Sequence, residues 1–97
     1  MTDIFERNLV PSKSTLSSRV GNETVILQLK KGTYFGLDPM ATSIWNMLKE
    51  GLDPAQICAH IILDYDVAPE VIEADVRNFL TELEANAIIE GGEQPAG

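Results

Sequence analysis

The chain has 97 residues, 44% of them hydrophobic, and a formal net charge of −8. Its length suits one domain with a single core, and its composition is that of a globular rather than a disordered chain. No apolar run approaches the roughly 20 residues of a membrane span, the N-terminus lacks the basic-then-apolar order of a signal peptide, and the single cysteine, Cys58, excludes an internal disulfide. A cytoplasmic protein that spans no membrane is the expectation.

Residues 1–13 have mixed character with no period and read as a flexible arm ahead of a folded domain over residues 14–89. From Ser14 the chain alternates weakly, with Leu16 and Val20 on one face. Gly21-Asn22 is a two-residue hairpin turn, since both residues tolerate positive φ. Glu23 to Leu29 alternates well, with Val25, Leu27 and Leu29 on one side and Thr24 and Gln28 opposite. Ile26 breaks the alternation and implies that part of the other face is covered too. Lys30-Lys31-Gly32 makes a second turn, and Thr33 to Leu37, rich in strand-favouring residues, is a third strand. Three strands joined by tight turns form an antiparallel meander with the first and third on the outside.

Three helices follow. Asp38 caps the first, and Pro39 occupies its first position, where a missing N–H costs nothing. Ala41, Ile44, Trp45 and Leu48 form one apolar stripe, and Gly51 closes the helix. Asp53-Pro54-Ala55-Gln56 reads as a capping box for the second, whose apolar face is Ile57, Cys58, Ile61, Ile62 and Tyr65. The third starts near Pro69 behind a poor cap, Ala68, and spaces Ile72, Val76, Phe79, Leu80 and Leu83 at helical intervals. Asn86 suits a left-handed C-terminal turn, Ile88-Ile89 returns to the core, and residues 90–97 read as a disordered tail. The fold class is α+β, winged-helix-like, with an N-terminal three-stranded meander followed by three helices.

Charge divides the chain. Residues 1–37 carry a net +2 and residues 38–97 a net −10. The helical part repels nucleic acid and anionic membranes and could attract a basic peptide or protein. A DNA-reading helix needs Lys or Arg towards phosphates, whereas the third helix offers Glu70, Glu73, Asp75, Glu82 and Glu84 with Arg77 as its one cation. A DNA-binding regulator is therefore a rival reading with the electrostatics against it.

Catalytic chemistry finds no constellation. His60 on the second helix has no nucleophile near it in sequence, and Cys58 lies on an apolar face without the electropositive setting of a reactive thiol. Gly32 and Gly36 make neither a dinucleotide fingerprint nor a P-loop, and one cysteine with one histidine is too few for a structural zinc. Asp64 and Asp66 lack the remaining ligands of a calcium loop. No metal, cofactor or enzymatic activity is expected. The open possibility is a peptide surface: an outer third strand leaves backbone groups unpaired along one side, where an extended segment could add as a further strand. The alternative is that Thr33 to Leu37 only packs on its own core.

The run Gly32-x-Tyr34-Phe35-x-Leu37-Asp38 followed by Ala41-x-x-Ile44-Trp45-x-x-Leu48 resembles the PqqD-like proteins. Tyr65-Asp66-Val67 and Asp75-Val76-x-x-Phe79-Leu80-x-x-Leu83 continue the match, which extends from about Val10 to Ile89. The resemblance implies a RiPP recognition element, a small domain that binds the leader region of a ribosomally made precursor peptide and presents it to modifying enzymes. It implies a leader added along Thr33, Tyr34, Phe35, Gly36 and Leu37, with Ile72, Asp75, Val76 and Phe79 as candidate groove positions on the third helix. The strands Glu23–Leu27 and Tyr34–Leu37 are more similar to the stand-alone recognition proteins of lasso-peptide clusters than to the pyrroloquinoline-quinone version. The implied partner is then a separate transglutaminase-like leader peptidase; in the quinone setting it would be a radical SAM enzyme. A small subunit that only stabilises a larger enzyme is a third reading.

Overall fold

Gly21 and Gly32, with φ of 63° and 67°, allow the two turns that build the sheet. They join β2 (Thr15–Val20), β3 (Glu23–Gln28) and β4 (Thr33–Leu37) in the order β2-β3-β4, all antiparallel, in a computed structural model that describes residues 4–91. The register sets Leu16 opposite Leu27 and Leu27 opposite Tyr34, and it pairs Ile26 with Phe35 and Thr24 with Leu37. The expected meander and the three helices behind it are both present.

The sheet turns a different face to the helices than its apolar alternation singles out. Thr24, Ile26 and Gln28 are buried, whereas Val25, Leu27 and Leu29 are 41%, 37% and 51% exposed. Gln28 can be buried because both polar atoms of its amide have partners: Nε2 donates to the Ala87 carbonyl at 2.6 Å and Oε1 accepts from the Lys30 N–H at 2.8 Å. Ile26, the residue that interrupts the alternation, is completely buried and marks the core side.

The helices α1 (Pro39–Lys49), α2 (Pro54–Asp64) and α3 (Pro69–Ala85) begin as their sequences dictate. Asp38 accepts from the Ala41 N–H at 2.8 Å, Asp53 and Gln56 form a reciprocal capping box, and Ala68 provides no side-chain cap. Both α1 and α3 end in paired 6→1 and 5→2 backbone bonds, Leu52 to Met47 with Gly51 to Leu48, and Ile88 to Leu83 with Ala87 to Glu84. Gly51 takes the left-handed position in the first of these. In the second it is Ala87, at φ 59°, rather than Asn86, whose amide donates back to the Glu82 carbonyl. Ile44, Trp45, Leu48, Ile57, Cys58, Ile61, Ile72, Val76, Leu80 and Leu83 supply the helical share of the core.

The segment read as a flexible arm is tied to the domain within residues 4–13. Ile4 is buried in a 3-10 turn over Ile4–Glu6, and β1 (Leu9–Pro11) pairs antiparallel with β5 (Ile89–Gly91). The Arg7 guanidinium grips the Glu84 carboxylate through both terminal nitrogens, Nη1 donating at 2.7 Å, and this hydrogen-bonded pairing holds the Glu84 carboxyl below its ordinary range. Of the expected tail, Glu90 and Gly91 belong to β5, and residues 92–97 lie outside the described residues.

Candidate peptide-docking edge and groove

Two features make a site at one end of the sheet. β4 pairs with β3 along one side, and among the described residues no strand pairs with its other side. Its backbone N–H and C=O groups on that side are open to a further strand. Where β4 ends at Leu37, the chain passes through Asp38 into α1, and a groove of about 310 Å³ opens between the start of α1 and the middle of α3. Asp38, Met40, Ala41 and Ile44 line it from one side and Asp75, Asn78, Phe79 and Glu82 from the other.

Alternation along β4 sorts the five strand candidates. Leu37 is buried and Phe35 packs half-buried against the core, with Thr33 on the same side at the exposed hairpin end; Tyr34 and Gly36 face outward. Of the four α3 candidates, Asp75 and Phe79 line the groove, while Ile72 and Val76, at 1% and 0% exposure, are core residues outside its lining. Asn78, Glu82 and the α1 residues Met40 and Ile44 are wall positions that the resemblance did not assign to the groove. Their signal is partial: Asn78 and Glu82 follow from Asp75 at i+3 and i+7, which keeps them on one helix side.

A slightly larger concavity of about 360 Å³ lies elsewhere, lined by Phe5, Ala55, Cys58, Ala59, Ile62, Glu73 and Arg77. It is remote from β4 in its lining, and Arg77 lies over the Phe5 ring there, 4.6 Å from the centroid. Burial, reinforced by the Glu73 carboxylate, pushes the Cys58 thiol pKa up, so the thiol remains protonated at neutral pH. His60 is exposed on α2, and no group of three or more His, Cys, Asp or Glu among the described residues is placed to hold a metal ion.

A family model described as coenzyme PQQ synthesis protein D (PqqD) matches residues 23–89. The chain belongs to the PqqD family. Two solved structures resemble this PqqD-like domain over most of its length. The first is "TbiB1 in Complex with the TbiA(beta) Leader Peptide", with a TM-score of 0.82 and 36% identity over 88% of this chain and 99% of that one. The second is "Lasso peptide synthetase B1 complexed with the leader peptide", with a TM-score of 0.79 and 22% identity over 86% and 98%, a likeness of fold. No curated protein matches. The resemblance carried by Tyr34-Phe35-x-Leu37-Asp38 and the α1 and α3 stripes is thus that of a PqqD-like RiPP recognition element. Among the described residues no helix is long and apolar enough to cross a membrane.

Proposed function

We propose that this PqqD-like domain is a non-catalytic binding protein that takes up the leader region of a ribosomally made precursor as an added strand along β4 and presents it to a maturation enzyme. The observation that carries this reading is the open edge of Thr33–Leu37 running into the groove between α1 and α3, in a fold 36% identical to a protein solved with its leader peptide. Backbone bonds to the edge would give affinity, and alternate peptide side chains would give selection. Thr33, Phe35 and Leu37 then flank the inner side of the added strand, Tyr34 and Gly36 the outer side, and Asp75 and Phe79 receive the segment beyond it. Ile72 and Val76 act by holding α3 in place.

A protein that hands over a peptide needs a second surface. The outer sheet face offers Leu16, Val25, Leu27, Leu29 and Tyr34, all exposed, more contiguous apolar surface than isolated exposed residues account for. This supports docking of a separate enzyme. Lasso-peptide maturation, with a transglutaminase-like leader peptidase as that enzyme, is favoured by the likeness of the Glu23–Leu27 and Tyr34–Leu37 strands to lasso-cluster proteins; a radical SAM enzyme is the partner in the alternative. The test is titration of synthetic leaders from any precursor genes that neighbour this one. Saturable binding at micromolar or lower concentration is expected, and no saturable binding of any precursor leader from the same cluster contradicts the reading.

A further inference from the structure

The groove at the end of β4 has an apolar floor and an acidic rim. Ile44 is buried and Met40 and Phe79 are half-buried at its base, while the carboxylates of Asp38, Asp75 and Glu82 surround it and no Lys or Arg lines it. Asp38 already accepts the Ala41 N–H as the α1 cap. Asp75 and Glu82, seven positions apart and hence on one side of α3, form no ion pair among the described residues, the one such pair being Arg7 with Glu84. Arg77, the one cation of α3, lies over Phe5 and lines the separate concavity with Cys58. The positive charge of α3 is therefore directed away from the groove, and the negative charge is gathered at it.

An occupant of this groove covers the carboxylates as it buries the floor. A neutral peptide would leave them partly desolvated and unpaired, and an acidic one would be repelled. Resting on the leader-binding reading, we infer that the leader segment seated here is cationic and amphipathic, placing a Lys or Arg against Asp75 or Glu82 beside a large apolar side chain over Met40, Ile44 and Phe79. Asp75 and Glu82 are then specificity residues that select among leaders by charge, while the β4 edge binds backbone and is indifferent to it. The competing occupant is a second copy of this chain offering its Lys30-Lys31 turn, since residues 1–37 are net positive.

The experiment titrates two peptides, a leader from a neighbouring precursor gene and its all-Gln derivative at Lys and Arg, into the wild type and an Asp75→Asn/Glu82→Gln variant, at 50 and 500 mM NaCl. Both substituted residues are exposed, so the variant keeps the fold, and the derivative peptide tests the pairing without any substitution. The expected result is that the variant and the derivative each weaken binding about five- to tenfold at low salt, with no further loss when combined and with most of the salt dependence gone. A leader that binds the wild type saturably, yet binds the variant within about twofold or keeps its affinity as the Gln derivative, overturns the inference and leaves leader binding standing. So does a leader without Lys or Arg, or a wild-type dimer that the two substitutions dissociate. Absence of any leader binding to the wild type at either salt removes both readings together.

Discussion

The inner and outer faces of the β2-β3-β4 sheet are built from alternate residues of the same strands and meet opposite environments. On β3 the inner face is Thr24, Ile26 and Gln28, two of them polar, and the outer face holds Val25 and Leu27, both aliphatic. Hydrophobicity alone would bury the outer set. The inner set is buried because Ile26 fits a core formed by Trp45, Leu48 and the α3 stripe, and because Gln28 bonds to the turn that follows α3. A polar residue whose hydrogen bonds are met can occupy a core position, and apolar residues can remain outside when the other side of the sheet has no element to cover it. The two faces therefore differ in their contribution to the fold: the inner one fixes the domain, and the outer one leaves its apolar side chains exposed.

The largest expected effect comes from breaking the inner face. Ile26→Ala should cost about 3 kcal/mol in urea unfolding, from lost burial and the cavity left behind. Gln28→Leu should cost about 2 kcal/mol, because the Ala87 carbonyl and Lys30 N–H lose their partner within a part-buried setting. Thr24→Val should act in the opposite direction and raise stability by about 1 kcal/mol, since the Thr24 hydroxyl is buried without a hydrogen-bond partner. On the outer face, Leu27→Ser should cost about 1 kcal/mol, from its partial burial and its cross-strand contacts with Leu16 and Tyr34. It should leave leader affinity unaltered and weaken co-elution with the maturation enzyme. A Leu27→Ser protein that unfolds as readily as Ile26→Ala would dissolve the distinction between the faces.

Much of this architecture could be read from local sequence. Asp38-Pro39, Asp53-Pro54-Ala55-Gln56 and Gly51 place helix ends through bonds made within four or five residues, so adjacent positions carry the whole signal. The stripe Ile44, Trp45, Leu48 and the stripe Ile72, Val76, Leu80, Leu83 repeat over enough turns to fix their buried sides. The inner face of β3 was harder, because its deciding contact joins Gln28 to a carbonyl 59 residues away. The pairing of the N-terminal segment is not legible in the sequence for the same reason: β1 is three residues long, too short for a period, and its partner β5 lies at the other end of the chain.

At the candidate site the strand half was legible from the order of tight turns, which makes β4 an outer strand. The helix half was legible only in part. An apolar stripe does not say which of its members are central and which lie at its margin: only the packed fold separates Ile72 and Val76, which are buried in the core, from Phe79, which faces the groove. Asn86 and Ala87 illustrate a finer limit. Asparagine is the better left-handed residue by preference, yet the length of α3 places Ala87 at that position, where Ala87→Gly should add about 1 kcal/mol to thermal stability.

Strand addition at β4 can be read directly from an N-methyl scan of the leader peptide. Each peptide carries one methylated backbone nitrogen, moved one residue at a time through the segment that binds, and its affinity for the intact protein is measured by titration. A strand that pairs with one edge directs alternate N–H groups at it, so the account predicts losses of about tenfold or more at every second position and small changes between them. Losses with no alternation, or affinities that are level across the whole series, would contradict it.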